Sequence, residues 1–218
     1  GNRHRDAEDR HVFERYFSQR GHPPFHRNGT YVEMGAADGV DISNTVFFER
    51  ELGWSGLLIE PSASFQRLIS HRSSRNSMLN EAVCNTPGNA TWIESANKDV
   101  SGVLSTISMG NLHRYHKHSH RQTIRRQPLS AMLRVANLSA IDFFSLDTEG
   151  GELSVLETMD WSIPIRVLLV ELDASNTTKD ESVRRLLRSQ GYRQDGPRMG
   201  FRKCNEIWVR NGTRPEPP

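Results

Sequence analysis

Two segments that each run a short strand into an acidic, glycine-bearing turn constrain the fold of this chain more than any other feature. They are Tyr31–Gly39 and Ile141–Gly150. In the first segment the turn carries Gly35, Asp38 and Gly39, and glycine lets a backbone turn sharply and approach a ligand that a Cβ atom would exclude. Strands that end in such turns and alternate with helices are typical of α/β enzymes that bind a cofactor.

The glycine spacing argues against a dinucleotide-binding protein. Gly35 and Gly39 are separated by three residues, whereas the dinucleotide pattern is G-x-G-x-x-G, so a nicotinamide oxidoreductase loses its main support. The turn alone also fits an ordinary tight turn. However, the apolar strand Gly56–Ile59 ends in Glu60, about twenty residues beyond Gly39, where a carboxylate can accept both hydroxyls of a ribose. Together these features favour an adenosyl ligand that lacks a pyrophosphate.

Several separated motifs resemble FkbM-type methyltransferases, and they occur in the same order. They are Tyr31–Gly39, Ser43–Thr45, Trp54–Pro61 with Phe65 and Leu68 after it, Asn80–Val83 and Ile141–Glu152, and the resemblance spans residues 29–210. It implies an S-adenosylmethionine-dependent O-methyltransferase. The implied fold is α/β, of the class I methyltransferase Rossmann-like type, with a mostly parallel seven-stranded sheet in the order 3-2-1-4-5-7-6 and helices on both faces.

The 218 residues suit one α/β domain. We expect an N-terminal helix and lead-in over residues 1–28, a methyltransferase-like catalytic domain over 29–212, and a disordered, proline-rich tail over 213–218. Apolar periodicity predicts the elements within this frame. The predicted strands are Thr30–Met34, Gly56–Ile59, Met78–Cys84, Ala90–Glu94 in a hairpin, Ile141–Leu146, Arg166–Leu172 and a terminal pair around Tyr192 and over Glu206–Arg210. The predicted helices are Asp6–Gln19, Ser43–Leu52, Ser62–His71, Leu129–Leu138, Glu152–Met159 and Val183–Arg188.

The resemblance and the strand ends together imply a set of cofactor contacts. Glu33, at the end of the first strand, is expected at the amino-acid end of the cofactor, and Ala82 near the adenine. Residues Ser43–Thr45 are either contacts of this kind or polar caps of the following helix. The predicted contacts are Glu33, Gly35, Ala36, Asp38, Gly39, Asn44, Glu60, Ala82 and Asp147.

Asp147 and Glu171 follow neighbouring parallel strands, whose carboxyl ends line the crevice where ligands bind. We expect these two residues to be catalytic, with one of them accepting the proton of an alcohol. Alternatively, both carboxylates bind a divalent cation, Mg²⁺ or Mn²⁺, that makes the alcohol more acidic. Two structural alternatives stay open: Asp147 as a helix N-cap, and Glu171 as the partner of Arg166 or Arg198.

The irregular stretch Ser95–His120 contains four histidines, His113, His116, His118 and His120. Long loops in compact α/β domains are often lids or binding loops. The histidines fit a solvated loop or contacts to the molecule that accepts the methyl group. They fit a metal site less well, because no carboxylate or thiolate lies nearby in the sequence.

Charge and glycosylation signals bear on the partner and the compartment. The 28 basic and 26 acidic residues leave a net charge of +2, and the basic clusters lack interleaved aromatic residues, so we expect no nucleic-acid partner. Five N-glycosylation acceptors, at Asn28, Asn89, Asn137, Asn176 and Asn211, favour a glycoprotein of the secretory-pathway lumen, as in the Golgi, over a cytoplasmic protein. We expect membrane contact only through an anchor outside the given sequence.

These observations lead to one functional prediction and one alternative. The prediction is methyl transfer from S-adenosyl-L-methionine to a hydroxyl of a small molecule or, more specifically, of a sugar or glycan. The alternative is a methyltransferase-like domain without catalysis that acts as a binding or trafficking module. The intact set Gly35, Asp38, Gly39 and Glu60 favours the enzyme, because a module has no need to keep these residues together.

Overall fold

The computed structural model describes residues 8–18, 26–94, 101–104, 119–172, 174, 176–199 and 204–213. The helices in this part of the chain are α1 (Glu8–Tyr16), α2 (Val46–Leu52), α3 (Phe65–His71), α4 (Leu129–Val135), α5 (Glu152–Glu157) and α6 (Thr177–Ser189). The strands are β1 (Thr30–Met34), β2 (Ser55–Ile59), β3 (Ser77–Leu79), β4 (Glu81–Val83), β5 (Gly88–Glu94), β6 (Gly102–Val103), β7 (His120–Gln127), β8 (Ile141–Leu146), β9 (Ile165–Glu171), β10 (Tyr192–Gln194) and β11 (Asn205–Arg210). Residues 214–218 of the predicted tail, and His113, His116 and His118, lie outside the described residues.

The larger sheet has seven strands in the order β3-β2-β1-β8-β9-β11-β10. Strands β3, β2, β1, β8 and β9 pair in parallel, whereas β11 is antiparallel to both of its neighbours, β9 and β10. The α/β class and the order 3-2-1-4-5-7-6 are therefore confirmed, counting only the strands of this sheet along the chain. Because of β11 the sheet is mixed.

Alternate residues of the strands fill two apolar cores, one on each face of the larger sheet. On one face Val32, Leu57, Phe144 and Leu168 pack with helices α4, α5 and α6. On the other face their sequence neighbours Tyr31, Leu58, Phe143 and Val167 pack with α1, α2 and α3. Successive side chains of a strand point to opposite faces, so near-continuous apolar strands require helices on both sides. Helices on both faces of the sheet were predicted, and this prediction is confirmed.

A second sheet was not predicted. Its order is β4-β7-β5-β6, and β5 pairs antiparallel with β7 along its whole length. The strand expected over Met78–Cys84 is in fact two strands, because β3 extends the larger sheet while β4 belongs to the second one. The second sheet is held against the turn after β2: the Gln122 side chain donates to the Pro61 carbonyl (3.3 Å), and the Ala63 N–H donates to Glu94 (3.3 Å).

The predicted N-terminal helix is present as α1, and it packs on the larger sheet. Val12, Tyr16 and the following Phe17 are fully buried in the core formed with α2 and α3. The Tyr16 hydroxyl donates to Asp195 at 2.5 Å, which ties α1 to the end of β10. No helix among the described residues combines the length and the apolar character that crossing a bilayer requires.

Candidate functional site

A cavity of about 350 Å³ lies at the carboxyl ends of β1, β2 and β8. Backbone hydrogen bonds hold these ends together: the Gly35 N–H donates to the Ile59 carbonyl (3.1 Å), and the Asp147 N–H donates to the Met34 carbonyl (3.2 Å). From β1 the chain builds the sheet first on one side, through β2, and later on the other, through β8. Such a switch point opens a crevice where open α/β sheets bind ligands.

Gly35 is required by the close approach of two of these strand ends. Its φ is +78°, a conformation that side chains with a Cβ rarely adopt. A Cβ atom at this position would lie 2.0 Å from the Asp147 carbonyl oxygen. The glycine therefore permits the backbone contact that places Asp147 beside the turn after β1.

Asp38 shapes the same turn and lines the cavity. Its carboxylate accepts the backbone N–H groups of Val40 (3.1 Å) and Asp41 (3.0 Å). Burial alone would raise the pKa of Asp38, but these hydrogen bonds, together with the charges of Arg67 and His71, lower it. Asp38 is therefore a fixed negative charge at the cavity wall.

Glu60 lies in the cavity wall at the end of β2, with 5% of its surface exposed. One carboxylate oxygen accepts the Ala37 N–H and the other the Ser62 N–H, both at 2.7 Å. These bonds fix the carboxylate between the turns that follow β1 and β2. Each oxygen keeps a second lone pair, so Glu60 can still accept two hydroxyl groups.

Asp147 and Glu171, the predicted catalytic pair, are brought together with Glu149. One oxygen of each of these three carboxyl groups lies within 4.8 Å of the others. Burial, then the charges of Glu171 and Glu149 and a hydrogen bond with Glu171, raise the pKa of Asp147 well above its ordinary value. Asp147 lines the cavity, whereas Glu171 does not; the Cys204 thiol donates to Glu171 at 3.4 Å. This spacing fits a shared proton or a single hard cation.

Neither structural alternative for these two carboxylates is found. The N-cap of α5 is Gly151, without a side-chain cap, so the interpretation of Asp147 as an N-cap is wrong. The N–H groups of Thr148 and Gly150 donate instead to Glu152, which also pairs with Lys179 (2.7 Å).

The two arginines proposed for Glu171 have other partners. Arg198 pairs with Glu206 at 2.9 Å, and Arg166 donates to the Tyr16 carbonyl at 2.7 Å. Neither of these two arginines therefore pairs with Glu171.

Four of the predicted cofactor contacts do not line the cavity. The residues that line the cavity are Gly35, Asp38, Glu60, Ala82 and Asp147, and those that do not are Glu33, Ala36, Gly39 and Asn44. Glu33 accepts the Ser43 hydroxyl (2.8 Å) and the Asn44 N–H (2.7 Å), so its oxygens serve the protein's own loop. As direct cofactor contacts these four residues stay predictions.

The buried guanidinium of Arg72 connects the turn after β1 to the larger sheet. It pairs with Glu49 (2.8 Å) and Glu33 (3.5 Å), and it donates to the Gly39 carbonyl (3.2 Å) and the Ser43 hydroxyl (3.1 Å). All these groups lie in or next to the turn, β1 or α2. No local sequence pattern indicates this network, because its members are far apart along the chain.

The second sheet supplies a cavity wall that the sequence analysis missed. Trp92 and Val103 line the cavity beside the predicted Ala82. With Ile124, these residues form a small apolar cluster separate from the two main cores. The signal available in the sequence was a tryptophan in a predicted strand close to the adenine position.

The described residues that line the cavity carry charge of one sign only. Seven are acidic and none is Lys, Arg or His, although the chain as a whole carries a net charge of +2. The acidic residues are Asp38, Asp41, Glu60, Glu81, Glu94, Asp147 and Glu149. A wall of this kind repels phosphates and attracts cations.

One protein-family model matches this chain, and solved methyltransferase structures are similar to it. The model of the methyltransferase FkbM domain matches residues 33–194, whereas no curated protein matches significantly. The FkbM methyltransferase structure from Methylobacillus flagellatus KT superposes with a TM-score of 0.56 at 15% identity, over 93% of this chain and 50% of that chain. A putative methyltransferase structure from Thermoplasma acidophilum gives a TM-score of 0.35 at 7% identity, over 86% of this chain and 70% of that chain.

The first of these structures resembles this chain in fold, and the chain spans half of its length. The domain match covers most of the chain, including the end of β1 with its turn, β2 and Glu60, and both Asp147 and Glu171. The chain therefore belongs to the FkbM methyltransferase family.

Proposed function

We propose that this protein transfers a methyl group from S-adenosyl-L-methionine to a hydroxyl group, specifically one on a sugar or glycan. The observation that carries the proposal is the cavity at the switch point, walled by carboxylates and without a basic residue among its described lining. Phosphate-bearing cofactors need N–H donors or basic side chains at this place. A cationic sulfonium joined to a ribose fits carboxylates instead.

Different residues of the cavity would contact different parts of S-adenosyl-L-methionine. Glu60, fixed by two backbone N–H groups, would accept the ribose hydroxyls. Gly35 and Ala37 border the cavity beside Asp38, so the turn after β1 would pass under the middle of the ligand. Asp147, at the end of β8, would lie towards the methyl group and the acceptor.

Asp147 is suited to removing the proton of the acceptor. When bound, the donor supplies an electrophilic methyl group; the acceptor oxygen bonds to that carbon while the carbon–sulfur bond breaks and its electron pair stays on sulfur. The hydroxyl proton passes to the Asp147 carboxylate, whose raised pKa makes it a stronger base than an ordinary aspartate. Positioning of oxygen, carbon and sulfur in line contributes the rest of the rate.

Ligation of a divalent cation by Asp147 is the alternative to its role as the base, and one experiment distinguishes the two. Oxygens of Asp147, Glu149 and Glu171 lie close enough to ligate one ion, and Mg²⁺ or Mn²⁺ prefers such ligands. A labelled-methyl assay over a panel of glycans and small alcohols, with and without a chelator, tests the acceptor and the ion together. Transfer to a sugar hydroxyl supports the proposal, and donor binding without transfer to any acceptor would favour the binding module.

We also propose that the protein works in the lumen of the secretory pathway. All five asparagines of the glycosylation acceptors, Asn28, Asn89, Asn137, Asn176 and Asn211, are exposed, so a glycan at each of them would extend into solvent. Protein secreted from eukaryotic cells should shift to lower mass on treatment with peptide N-glycosidase. An unchanged mass would count against this compartment.

Replacing Glu60 with alanine is expected to weaken binding of S-adenosylhomocysteine about a hundredfold. The variant loses charge-assisted hydrogen bonds to the ribose, each worth about 1.5–3 kcal/mol. Calorimetric titration of both proteins measures the change. The control is Glu51→Ala, an exposed glutamate on α2, and thermal unfolding verifies that the Glu60 variant is folded. Unchanged affinity in folded Glu60→Ala would remove Glu60 from the ribose site.

A further inference from the structure

The loop that carries Asp147 and Glu149 is held by a buried carboxylate that does not itself line the cavity. Oε1 of Glu152, in the first turn of α5, accepts the Thr148 N–H (3.3 Å), the Thr148 hydroxyl (3.1 Å) and the Gly150 N–H (2.9 Å). Only 1% of Glu152 is exposed. Its bonds lie on both sides of Glu149, whose φ of +51° is one that residues with a Cβ atom rarely adopt. This one oxygen therefore fixes the backbone between the two cavity carboxylates and α5.

Lys179 of α6 holds the same carboxylate through its other oxygen. Its ammonium donates to Oε2 of Glu152 at 2.7 Å, and the two side chains are only 15% and 2% exposed. The ammonium also lies close to the loop, since a Cβ atom at Gly150 would be 3.8 Å from Lys179 Nζ. Hydrogen bonds between charged groups are about twice as strong as neutral ones, and buried pairs are screened little by salt. Lys179 therefore fixes the orientation of Glu152, and through it the loop.

The residue after Lys179 holds the segment that follows Glu171. Asp180, which is 1% exposed, accepts the Ala174 N–H at 3.1 Å. The Asn176 side chain caps α6 by accepting the Lys179 N–H at 3.0 Å, which fixes this first turn of the helix. The first turn of α6 is thus bonded to the segments after β8 and after β9, where the predicted catalytic carboxylates lie. Neither Lys179 nor Asp180 lines the cavity.

We infer that Lys179 is a positioning residue for methyl transfer, which acts through Glu152 on the loop that holds Asp147 at the cavity. This inference rests on the proposed function. Methyl transfer needs the acceptor oxygen, the methyl carbon and sulfur in line, so a displacement of about 1 Å can cost about 10²-fold in rate. Glu60, which would hold the ribose, takes its hydrogen bonds from Ala37 and Ser62 instead. Loss of Lys179 should therefore lower turnover more than donor binding.

The first test combines steady-state kinetics with calorimetry. Lys179→Met removes the ammonium and keeps a long side chain, and kcat with the best acceptor of the panel should fall about 10–100-fold. Affinity for S-adenosylhomocysteine should stay close to that of wild type. Lys179→Arg can still donate to Glu152 and should restore most of the lost turnover. Arg185→Met, which changes an exposed residue of the same helix, should turn over as wild type does.

A double-mutant cycle tests whether Lys179 acts through Glu152. Glu152→Gln breaks the pair from the other side without leaving a buried carboxylate unpaired, so it remains informative if Lys179→Met is unstable. It should lower kcat, whereas Glu157→Gln, an exposed change on the same helix, should not. The double variant should be no slower than the slower single variant, because both changes remove one interaction. Losses that multiply would show two separate roles and overturn the inference.

Hydrogen exchange measured by NMR gives a readout that does not depend on turnover. Glu152 accepts the N–H groups of Thr148 and Gly150, so these amides should exchange faster in Lys179→Met than in wild type. The amides of β1, in the middle of the larger sheet, report global unfolding and correct for any general loss of stability. Equal exchange at Thr148 and Gly150 after this correction would show that Lys179 does not hold the loop.

The outcomes separate this inference from the proposed function. If wild type transfers methyl groups and folded Lys179→Met does so equally fast, only the role of Lys179 is overturned. An equal loss of kcat and of affinity for S-adenosylhomocysteine also overturns it, because the pair then supports the whole donor site. If wild type transfers no methyl group to any acceptor, the proposed function fails, and faster exchange in Lys179→Met would leave only the anchoring of the loop.

Discussion

Replacing Asp147 with asparagine is expected to lower kcat by about 10²–10⁴-fold, the range that a positioned general base contributes. Binding of S-adenosylhomocysteine should persist, because this product carries no sulfonium charge for Asp147 to stabilise. Steady-state kinetics with the best acceptor from the panel, and calorimetry with S-adenosylhomocysteine, measure the two quantities. Glu157→Gln, an exposed glutamate on the neighbouring helix α5, is the matched control.

The pH dependence of turnover gives the same assignment a second test. The base works only when it is deprotonated, and the pKa of Asp147 is raised. The acidic limb of kcat/KM for the donor should therefore lie above the pH range of an ordinary carboxyl group. The positive donor lowers the pKa of a nearby carboxyl group, so the limb of kcat, which reports the complex, should lie at lower pH.

Asp147→Asn should also stabilise the fold at neutral pH. A folded-state pKa above the unfolded one means that the native state binds more protons, so the Asp147 charge costs stability as pH rises through the folded-state pKa. Asparagine removes this cost, and each kcal/mol gained raises the unfolding midpoint by about 2–4 °C in a chain of this length. The gain should vanish at acidic pH, where Asp147 is protonated in both states. For turnover, a folded Asp147→Asn variant with the wild-type kcat would show that Asp147 is not the base.

Replacing Arg72 with methionine is expected to destabilise the fold by about 3–5 kcal/mol, the usual result of breaking a buried ion pair. The Arg72 side chain is 0% exposed, between Glu33 (3%) and Glu49 (8%). Burial alone would raise the pKa of Glu49, but the Ser73 N–H and Arg72 lower it. Without the guanidinium, two buried carboxylates face each other, and the turn at Gly39 loses its anchor. Thermal unfolding followed by circular dichroism measures the loss.

The pH dependence of this loss identifies its cause. In wild type the lowered pKa of Glu49 gives stability that is present above the unfolded-state pKa and lost as pH falls. In Arg72→Met the carboxylates lack their counter-ion, so acidification should narrow the gap to wild type. Arg75→Met, an exposed arginine that follows α3, should change stability by less than about 0.5 kcal/mol. A folded Arg72→Met that unfolds at the wild-type temperature would contradict this account. Arg72→Lys keeps the charge, so its stability should lie between that of wild type and that of Arg72→Met.

The strands of the larger sheet could be predicted because their sequences alone require burial on both faces. Thr30–Met34 and Ile141–Leu146 were predicted with the bounds that the structure has, and β9 within one residue. The second sheet could not be predicted in this way. Its long strand β7 contains His120, three arginines and two glutamines, so no apolar alternation marks it, and its partner β5 is more than twenty residues away along the chain.

Residues of the candidate site could be predicted where they directly follow a parallel strand. Gly35, Glu60 and Asp147 each follow a parallel strand directly, and each lines the cavity. Glu33 shows the limit of this rule. It is the penultimate residue of β1 and next to the cavity, yet its side chain belongs to the network of Arg72. The direction of that side chain depends on a buried arginine from the end of α3, which a local pattern does not reveal.

A crystal structure of the protein with S-adenosylhomocysteine tests the central claim most directly. The account predicts the ligand in the cavity at the ends of β1, β2 and β8, with its ribose hydroxyls at Glu60, its base on the second sheet and its sulfur towards Asp147. An empty cavity at saturating ligand, a cavity filled by the protein's own side chains, or a ligand bound elsewhere would contradict it.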